Sequence, residues 1–304
     1  NFDKELAENG IKTAAFNVIK PIVNNFYMNY RNHQKIAVVD GNIGYTGGAN
    51  IADEYVNTVE AFGHWKDTGV RLTGRGVWSL TVNFLQMWEY SSYNKKAKTK
   101  KSDFSKYAPD ESFCAKQAET RGFVQPFADG PLRTPGENEA ESVYMQMINT
   151  AKKYIYITTP YLVPDNEMIV ALRLAAQSGV DVKLITPAIP DKGYVHLVTQ
   201  SYYGILMDAG VKIYEYLPGF IHAKSFVADD ESAVVGTINM DFRSFYLHFE
   251  NGVWLCGNRA VQSIRNDFIK TLDYCEEIDY NVWKNRPWYK KAAQGFLRLF
   301  APLL

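Results

Sequence analysis

The stretch His222–Ser244, HAKSFVADDESAVVGTINMDFRS, decides how the chain is interpreted, because a counterpart lies 189 positions earlier. The counterpart, His33–Tyr55, is HQKIAVVDGNIGYTGGANIADEY. Each copy reads H-x-K-x4-D, with a glycine 14 residues and an asparagine 17 residues after the histidine. The matched positions are His33, Lys35, Asp40, Gly47 and Asn50 in the first copy, and His222, Lys224, Asp229, Gly236 and Asn239 in the second. Two copies with the same offsets indicate a duplicated chemical module.

The residues after each histidine predict a buried strand. Side chains two apart on a strand share one face, so each histidine and its lysine point the same way. The largely apolar runs that follow suit a strand buried on both faces. The glycine then allows another backbone to approach closely. The asparagine amide can donate a hydrogen bond to an oxyanion or to an imidazole.

Composition excludes several classes of function. The 304 residues include 33 basic and 33 acidic side chains, a net charge of zero, which argues against a nucleic-acid binder that works by bulk charge. The three cysteines form no CxxC, and no HExxH is present, so we expect no disulfide framework, no metal and no cofactor. No signal peptide and no apolar run of roughly 18–20 residues is found. Nothing in the sequence indicates an oligomeric state.

The two halves of the chain differ before their motifs. The second half follows a β-α-β-α rhythm, with strands at 153–163 and 180–187 and helices at 165–178 and 196–210. The first half has a strand predicted at 10–21 but no such opening unit. Because the chain also begins without methionine, the sequence predicts a first domain, residues 1–115, that has lost its opening βαβ unit. Residues 116–304 are predicted to form a complete second domain.

Three other segments carry predictions. Val77, Leu80, Phe84 and Trp88 have helical spacing and predict a core-facing helix at 75–90. The Lys-rich segment 94–112 is either a solvated linker or a contact with anionic lipid headgroups. The tail at 288–304 is either an interfacial amphipathic helix or a segment packed on its own domain.

Two histidines, two lysines and two aspartates at one site suit a phosphodiester substrate. Lysine ammonium and asparagine amide groups bind anionic oxygens, which makes a metal unnecessary. One imidazole can attack phosphorus while the other protonates the leaving oxygen. The two rings then need opposite protonation states, which neighbouring carboxylates would set. We expect Glu250, 28 residues after His222, to hold the second nitrogen of His222, and Asp67, 34 residues after His33, to hold that of His33.

Other polar residues have less distinctive settings. His64 and His196 are expected to be packing residues. His248, just before Glu250, lines the pocket or packs, and packing is favoured. Tyr161 and the Pro164–Asp165 pair follow the end of a strand, where α/β sheets commonly bind ligands, and are candidate substrate contacts.

The two motifs resemble those of the phospholipase D superfamily. Within it, RNHQKIAVVDGNIGYTGGANIADEY, YLVPD, GVKIYEYLPGFIHAKSFVADD, GTINMDFRSFYLHFE and the closing APLL are similar to bacterial cardiolipin synthases, over nearly the whole chain. The resemblance implies an α/β fold: two pseudo-twofold-related α-β-α domains that share one active site, the first of them incomplete here. It implies a phosphohistidine intermediate, with His33 as nucleophile and His222 as general acid and then base.

The same resemblance supplies further expectations. Lys35 and Lys224 would hold the phosphoryl oxygens, with help from Asn50 and Asn239, and Asp40 and Asp229 would complete the motifs. The reaction would join two phosphatidylglycerol molecules into cardiolipin and release glycerol at the bacterial cell membrane. The catalytic part would be peripheral and the hydrophobic anchor absent from this chain. The partner is then an anionic phospholipid surface.

Several alternatives stay open at this point. If water resolves the intermediate, the enzyme is a phospholipase D hydrolase, and another alcohol makes it a different phosphatidyltransferase. A nuclease is disfavoured by the neutral charge and by the lack of an aromatic-plus-basic strip. A lipid-binding protein with an inactive site is disfavoured by the intact His, Lys and Asp in both copies.

Overall fold

The computed structural model describes residues 2–17, 29–92, 103–116, 121–131 and 138–301, and within these the chain is a mixed α/β protein. The helices are α1 Phe2–Glu8, α2 Val77–Ser92, α3 Glu111–Ala115, α4 Glu139–Thr150, α5 Asn166–Gln177, α6 Gly193–Met207, α7 Phe242–Tyr246, α8 Arg259–Leu272, α9 Tyr280–Lys284 and α10 Trp288–Arg298. The strands are β1 Arg31–Asn32, β2 Ile36–Val39, β3 Ile43–Gly47, β4 Gly69–Thr73, β5 Phe123–Asp129, β6 Tyr154–Thr158, β7 Leu162–Val163, β8 Asp181–Pro187, β9 Lys212–Tyr216, β10 Ser225–Ala228, β11 Ser232–Gly236, β12 Met240–Asp241, β13 His248–Cys256 and β14 Cys275–Glu277.

The strands form one large sheet and two small ones. The large sheet has the order β1-β13-β11-β10-β6-β8-β9-β14, with β5 also paired to β13. Strands β6, β8 and β9 run parallel, as the β-α-β-α rhythm predicts, and β10, β11 and β13 are antiparallel. The small sheets are β2-β3-β4 and β7-β12. Because β1 pairs with β13, the first half of the chain contributes to the sheet of the second half.

Two cores flank the large sheet. One lies under helices α4, α5 and α6, where the Tyr144 ring stacks on Phe226 at 5.1 Å between centroids. The other joins the halves, because Leu72 and Val77 from the first half pack in one cluster with Val235 and Val253. This second core holds the β2-β3-β4 sheet against the large sheet, so the two motifs face each other.

Some predictions for the first half differ from the structure. Val77 and Leu80 are buried as predicted, but Phe84 is 46% exposed and stacks on Trp88 of its own helix. The end of α2 therefore lies on the surface of the described chain, which a helical period alone does not reveal. Residues 11–17 form no strand, and the remainder of that predicted strand lies outside the described residues, as do residues 94–102 of the Lys-rich segment.

The C-terminal tail packs on its own domain. The Arg298 guanidinium lies 4.3 Å from the centre of the Tyr202 ring on α6, and Gln294 is buried. Trp288 and Phe296 are exposed on α10. Packing is thus the alternative that the structure favours for residues 288–301. Among the described helices, none has the length and apolar character needed to cross a membrane.

Candidate active site

The two motifs occupy equivalent places in their strands. Gly47 pairs with Gly69, and Gly236 pairs with Gly252. A Cβ on Gly47 would lie 2.6 Å from the Gly69 Cα, and one on Gly236 would lie 2.6 Å from the Gly252 Cα. Both glycines are therefore required for close backbone approach, as the sequence predicts. The two pairings also align the copies beyond the motifs, since they make residues 67 and 250 equivalent.

Each motif histidine is anchored to the opposite copy through its backbone. The His33 N–H donates to the Phe249 carbonyl at 2.9 Å, and the His222 N–H donates to the Lys66 carbonyl at 2.7 Å. Phe249 and Lys66 each immediately precede a carboxylic residue. The two hydrogen bonds consequently bring Glu250 beside His33 and Asp67 beside His222.

The prediction that paired Glu250 with His222 and Asp67 with His33 was wrong. The Glu250 carboxylate lies 2.9 and 3.0 Å from the His33 Nδ1, and the Asp67 Oδ2 lies 2.8 Å from the His222 Nδ1. The physical reason is the exchange of backbone hydrogen bonds between the copies, which sequence distance cannot show. The residues themselves were identified correctly, but each supports the histidine of the other motif.

This arrangement fixes which ring nitrogen is available for chemistry. Both histidines use Nδ1 to contact a carboxylate, so Nε2 is the atom left to meet a substrate. An N–H at Nδ1 that donates to a carboxylate also leaves an electron pair on Nε2. The site therefore presents two Nε2 atoms, one from each copy, each oriented by an acidic residue.

The two carboxylates have opposite electrostatic settings. Burial raises the pKa of Asp67 to about 6, although Lys224 and the Thr68 N–H act against that shift. Burial acts upward on Glu250 too, but a charge on His33 and hydrogen bonds outweigh it and hold the pKa of Glu250 far below its usual range. The Thr237 hydroxyl also donates to Glu250, whereas Gly48 occupies the matching position beside Asp67. Glu250 is thus held ionised, and Asp67 can take a proton near neutral pH.

His222 lies deeper than His33. The His222 side chain is 7% exposed and that of His33 is 24% exposed. Burial, followed by the charges of Lys224 and His33, lowers the pKa of His222 well below its ordinary value. Because burial disfavours the charged form of both groups, a proton bound by this pair is shared between Asp67 and His222 rather than held in a stable ion pair.

The two lysines complete a compact cluster of alternating charge. The Lys35 Nζ donates to the His33 carbonyl at 2.7 Å, and the Lys224 Nζ donates to the His222 carbonyl at 2.5 Å. Burial lowers the pKa of Lys35 to about 8 and that of Lys224 to about 7, against the attraction of the nearby carboxylates. Burial outweighs the nearby carboxylates at both ammonium groups, so an additional anionic group would be bound favourably there.

The asparagines of the two motifs have different surroundings. The Asn50 side chain is exposed and donates through Nδ2 to the Tyr55 hydroxyl at 2.6 Å. Asn239 is buried, and its Oδ1 has no hydrogen-bond partner among the described residues. The proposed role of both in binding phosphoryl oxygens stays a prediction.

Asp40 and Asp229 lie away from this cluster, contrary to their assignment as catalytic residues. Both occupy turns with a positive φ, 52° and 57°, at the far ends of β2 and β10. Four residues of nearly extended chain lie between each aspartate and its lysine, a span on the order of 15 Å. The Asp229 carboxylate accepts hydrogen bonds from the backbone N–H groups of Lys152, Lys153 and Tyr154. The structure therefore gives this aspartate a part in joining strands.

We expect Asp229→Ala to lower the free energy of unfolding by about 2 kcal/mol, because three backbone donors lose a charged acceptor. The kcat of the folded variant should stay within about threefold of wild type. Burial acts to raise the pKa of Asp229, but the three backbone hydrogen bonds outweigh it, and the pKa is lowered. The loss of stability in Asp229→Ala should therefore be present at neutral pH and fade at acidic pH. Urea denaturation at pH 7 and pH 4 measures it. Asp40→Ala is the matched control, because no comparable donors converge on Asp40 among the described residues. A large loss of kcat at unchanged stability would restore the catalytic assignment.

Aromatic rings enclose His222. Tyr55 meets the ring edge-on at 5.3 Å, and Trp65 and Phe220 lie 5.3 and 5.9 Å from it. Tyr161, a predicted substrate contact, packs 6.3 Å from Phe220 and donates to Asp191. Sequence reasoning missed Tyr55 and Trp65, although strand alternation two residues before Asp67 could have indicated Trp65.

Asp165 and two histidines are not brought to the cluster. Asp165 caps α5 by accepting from the Met168 N–H, which is a structural role for a predicted substrate contact. His64 contacts the Tyr216 hydroxyl, and His196 lies beside Gln200 and Glu215. Ligand atoms of His33, His248 and Glu250 lie within 4.8 Å of one another, a spacing that a metal could use. The absence of a metal stays a prediction from sequence.

Comparisons with known proteins show which families this chain is similar to. Residues 144–272 match the family described as "Cardiolipin synthase, PLD-like domain". The chain is thus similar in sequence to proteins with a phospholipase D-like domain of the cardiolipin synthase type. A cardiolipin synthase of Halalkalibacterium halodurans is 36% identical over the whole chain, which covers 58% of that protein, and one of Geobacillus kaustophilus is 38% identical over 99% of the chain and 58% of its own length.

Two further matches extend the comparison. An uncharacterized protein of Streptococcus mutans is 44% identical over the whole chain, which covers 63% of that protein. The crystal structure of phosphatidylserine synthase from Haemophilus influenzae matches with a TM-score of 0.65 at 16% identity, over 90% of this chain and 69% of that one. The chain thus spans about 60% of the length of these sequence relatives, and the last match supports the superfamily fold.

Proposed function

We propose that this chain carries the catalytic centre of a cardiolipin synthase, a phosphatidyltransferase that works through a phosphohistidine. The observation that supports it best is the pair of Nε2 atoms, each oriented by a carboxylate that lies next to the residue anchoring that histidine, with the motif lysines Lys35 and Lys224 bonded to the backbone of the two histidines. The relatives named as cardiolipin synthases add support for the substrate class.

In the first step, the His33 Nε2 attacks the phosphorus of phosphatidylglycerol. The N–P bond forms as the bond from phosphorus to the glycerol oxygen breaks, and His222 gives its Nε2 proton to that oxygen. His33 suits the attack because its ring becomes positively charged in the intermediate, and Glu250 stays ionised beside it. His222 suits proton donation because its lowered pKa favours loss of a proton.

In the second step, His222 removes a proton from the hydroxyl of a second phosphatidylglycerol. The resulting oxygen attacks phosphorus, the N–P bond breaks, and His33 returns to its neutral form with cardiolipin released. Asp67, with its pKa of about 6, shares the travelling proton with His222. Lys35 and Lys224 hold the phosphoryl oxygens and balance the charge that develops on them.

The partner that this chemistry requires is an anionic phospholipid in a bilayer, and the proposed location is the bacterial cell membrane. We propose that catalysis takes place at the membrane surface, because both reactants of the transfer are lipids. The rings of Tyr55, Trp65 and Phe220 exclude water from His222. Exclusion of water favours an alcohol over hydrolysis of the intermediate.

The decisive experiment incubates the purified chain with phosphatidylglycerol vesicles and identifies lipid products by mass spectrometry. Cardiolipin and free glycerol in equal amounts, absent with His222→Ala, are expected. Phosphatidic acid in place of cardiolipin would assign a hydrolase, and transfer to an added alcohol alone would assign another phosphatidyltransferase. No lipid product under any of these conditions would contradict the proposal.

We expect Asp67→Asn to lower kcat by about 10²–10⁴-fold, because His222 loses the partner that shares its proton. In the wild type, the form with the shared proton is lost as pH rises through about 6, so kcat/KM should fall above that pH. The variant should lack this inflection. Initial rates between pH 4.5 and 8 measure it, with Asp53→Asn on the neighbouring exposed turn as control. An unchanged inflection in Asp67→Asn would contradict the assignment.

A further inference from the structure

His248 lies against the proposed nucleophile, His33. Its ring centre is 5.6 Å from that of His33 at an angle of 46°, and its Nδ1 is 3.5 Å from the Glu250 Oε1. The side chain is 14% exposed. Neither ring nitrogen has a hydrogen-bond partner within the described part of the chain. A largely enclosed imidazole whose nearest polar contact is a carboxylate at 3.5 Å, longer than a good hydrogen bond, is unusual and indicates a role beyond packing.

The equivalent position in the other copy holds a tryptophan. The pairings Gly47–Gly69 and Gly236–Gly252 place Trp65 and His248 at matching points, each two residues before the supporting carboxylate. The Trp65 ring lies 5.3 Å from His222 at 45°, nearly the geometry of His248 on His33. One motif histidine therefore has an indole neighbour that cannot be protonated, and the other has an imidazole that can.

Resting on the proposed function, we propose that His248 is a positioning residue for His33 that acts through Glu250. With His248 neutral, its Nδ1 is too far from Glu250 for a well-formed hydrogen bond, and the carboxylate supports His33 alone. With His248 protonated, the imidazolium draws Glu250 Oε1 into an ion pair, and His33 loses part of its support.

Protonation of His248 also opposes the chemistry directly. The His33 ring becomes positive when it carries the phosphatidyl group, and a second positive ring 5.6 Å away disfavours that intermediate. The first step of transfer therefore requires two neutral imidazoles on this side of the site. Loss of activity at acidic pH then follows two protonations, at His33 and at His248.

Other titratable and charged groups surround this pair. On His248's own strand and on the elements packed against it they include Glu250 on β13, Arg31 on β1, Asp129 on β5, Glu139 and Glu141 on α4, Arg243 on α7, and Arg259, Arg265, Asp267 and Lys270 on α8, with Lys35 and Lys224 acting on Glu250 from the motifs. Asp129 is the closest in register, since it pairs with Glu250 across β5 and β13. Burial raises the pKa of Asp129 to about 6, so its titration must be separated from that of His248. Burial raises the pKa of Glu141 to about 7, so Glu141→Gln is needed beside the Asp129 variant.

The test is the slope of log kcat/KM against pH on the acidic side, measured for phosphatidyl transfer. We expect a slope approaching two for the wild type and a slope of one for His248→Gln and His248→Asn, which are polar but do not titrate in this range. His196→Gln is the matched control, because His196 is 15% exposed and also lies beside a carboxylate, Glu215. Asp129→Asn identifies any contribution from Asp129.

A slope of two that survives in both His248 variants, or a slope of one in the wild type, would overturn the proposal. Titration of ¹⁵N-histidine-labelled protein by NMR, without substrate, separates this from the proposed function. We expect His33 and His248 to titrate as a coupled pair, and His33 to titrate in a single step in His248→Gln. If the two histidines titrate as a coupled pair but the protein makes no cardiolipin, the proposed transferase function is rejected and the positioning role of His248 is supported. Independent titration in an active enzyme would reject the link alone.

Discussion

Substitution of His33 by alanine is expected to remove both phosphatidyl transfer and the covalent intermediate, whereas His222→Ala separates the two. Transfer from phosphatidylglycerol should fall by at least about 10³-fold in either variant, since in the proposed mechanism one lacks the nucleophile and the other the proton donor. The variants should differ with phosphatidyl-p-nitrophenol, whose leaving group departs without a proton. His222→Ala should then release a burst of nitrophenol and stop as a phosphatidyl-enzyme, and His33→Ala should release none.

The burst experiment assigns the roles of the two histidines. Mass spectrometry of the trapped His222→Ala protein should locate the added phosphatidyl group on His33. His64→Ala is the control for an unrelated histidine, because His64 contacts the Tyr216 hydroxyl outside the cluster. A burst in His33→Ala with the label on His222 would reverse the roles. A reversed result would also contradict the reasoning from Glu250, which is held ionised to support a positive ring at His33.

Lys224→Met is expected to abolish activity and yet to stabilise the folded chain at pH 6. The Lys224 side chain is 1% exposed, and burial lowers its pKa to about 7. Below pH 7 the folded state must hold a buried charge that the unfolded state exposes to water. Replacement by an apolar side chain of similar length removes that penalty, for a net gain of about 2 kcal/mol after loss of the hydrogen bond to the His222 carbonyl.

The sign of the pH dependence follows from the lowered pKa. Between about pH 7 and 10 the unfolded chain binds the lysine proton more strongly than the folded chain, so wild-type stability rises with pH in that window. The advantage of Lys224→Met should therefore shrink from pH 6 to pH 9. Urea denaturation at both pH values measures it, and kcat should fall by at least about 10²-fold.

Lys183→Met provides the comparison for a partly buried lysine that has a carboxylate partner. The Lys183 Nζ lies 2.8 Å from the Asp181 Oδ2, so its removal should reduce stability slightly, by at most about 1 kcal/mol. A loss of stability in Lys224→Met larger than that in Lys183→Met at pH 6 would show that Lys224 is not a strained buried charge. The expected opposition between stability and activity is typical of a site built to bind an anion.

Local patterns in the sequence predicted much of the fold and most residues of the site. The strand and helix periods in the second half correspond to β6, α5, β8 and α6 within a few residues, because burial on each element repeats at short range. The histidines and lysines of both motifs, and the close approach at Gly47 and Gly236, could likewise be predicted from fixed offsets. These features depend on neighbours within one strand and the turn after it.

The partners of those residues could not be predicted in the same way. Glu250 and His33 are 217 positions apart, and Asp67 and His222 are 155 apart, so their pairing depends on how the two copies exchange backbone hydrogen bonds. Asp229 appears within the motif but accepts hydrogen bonds from residues 152–154, about 75 positions away. Its place in the motif predicted a catalytic role, whereas its hydrogen bonds in the folded chain indicate a structural role.

The sequence by itself determined the composition of the site: two histidines and two lysines at matched positions, and two acidic residues that support the histidines. Only the tertiary structure decided which acid supports which histidine, how far Asp67 and Glu250 differ in pKa, and that His248 rather than an indole faces His33. The physical reason is that burial and charge act over short distances in space. Those distances are set by contacts between strands that lie far apart along the chain.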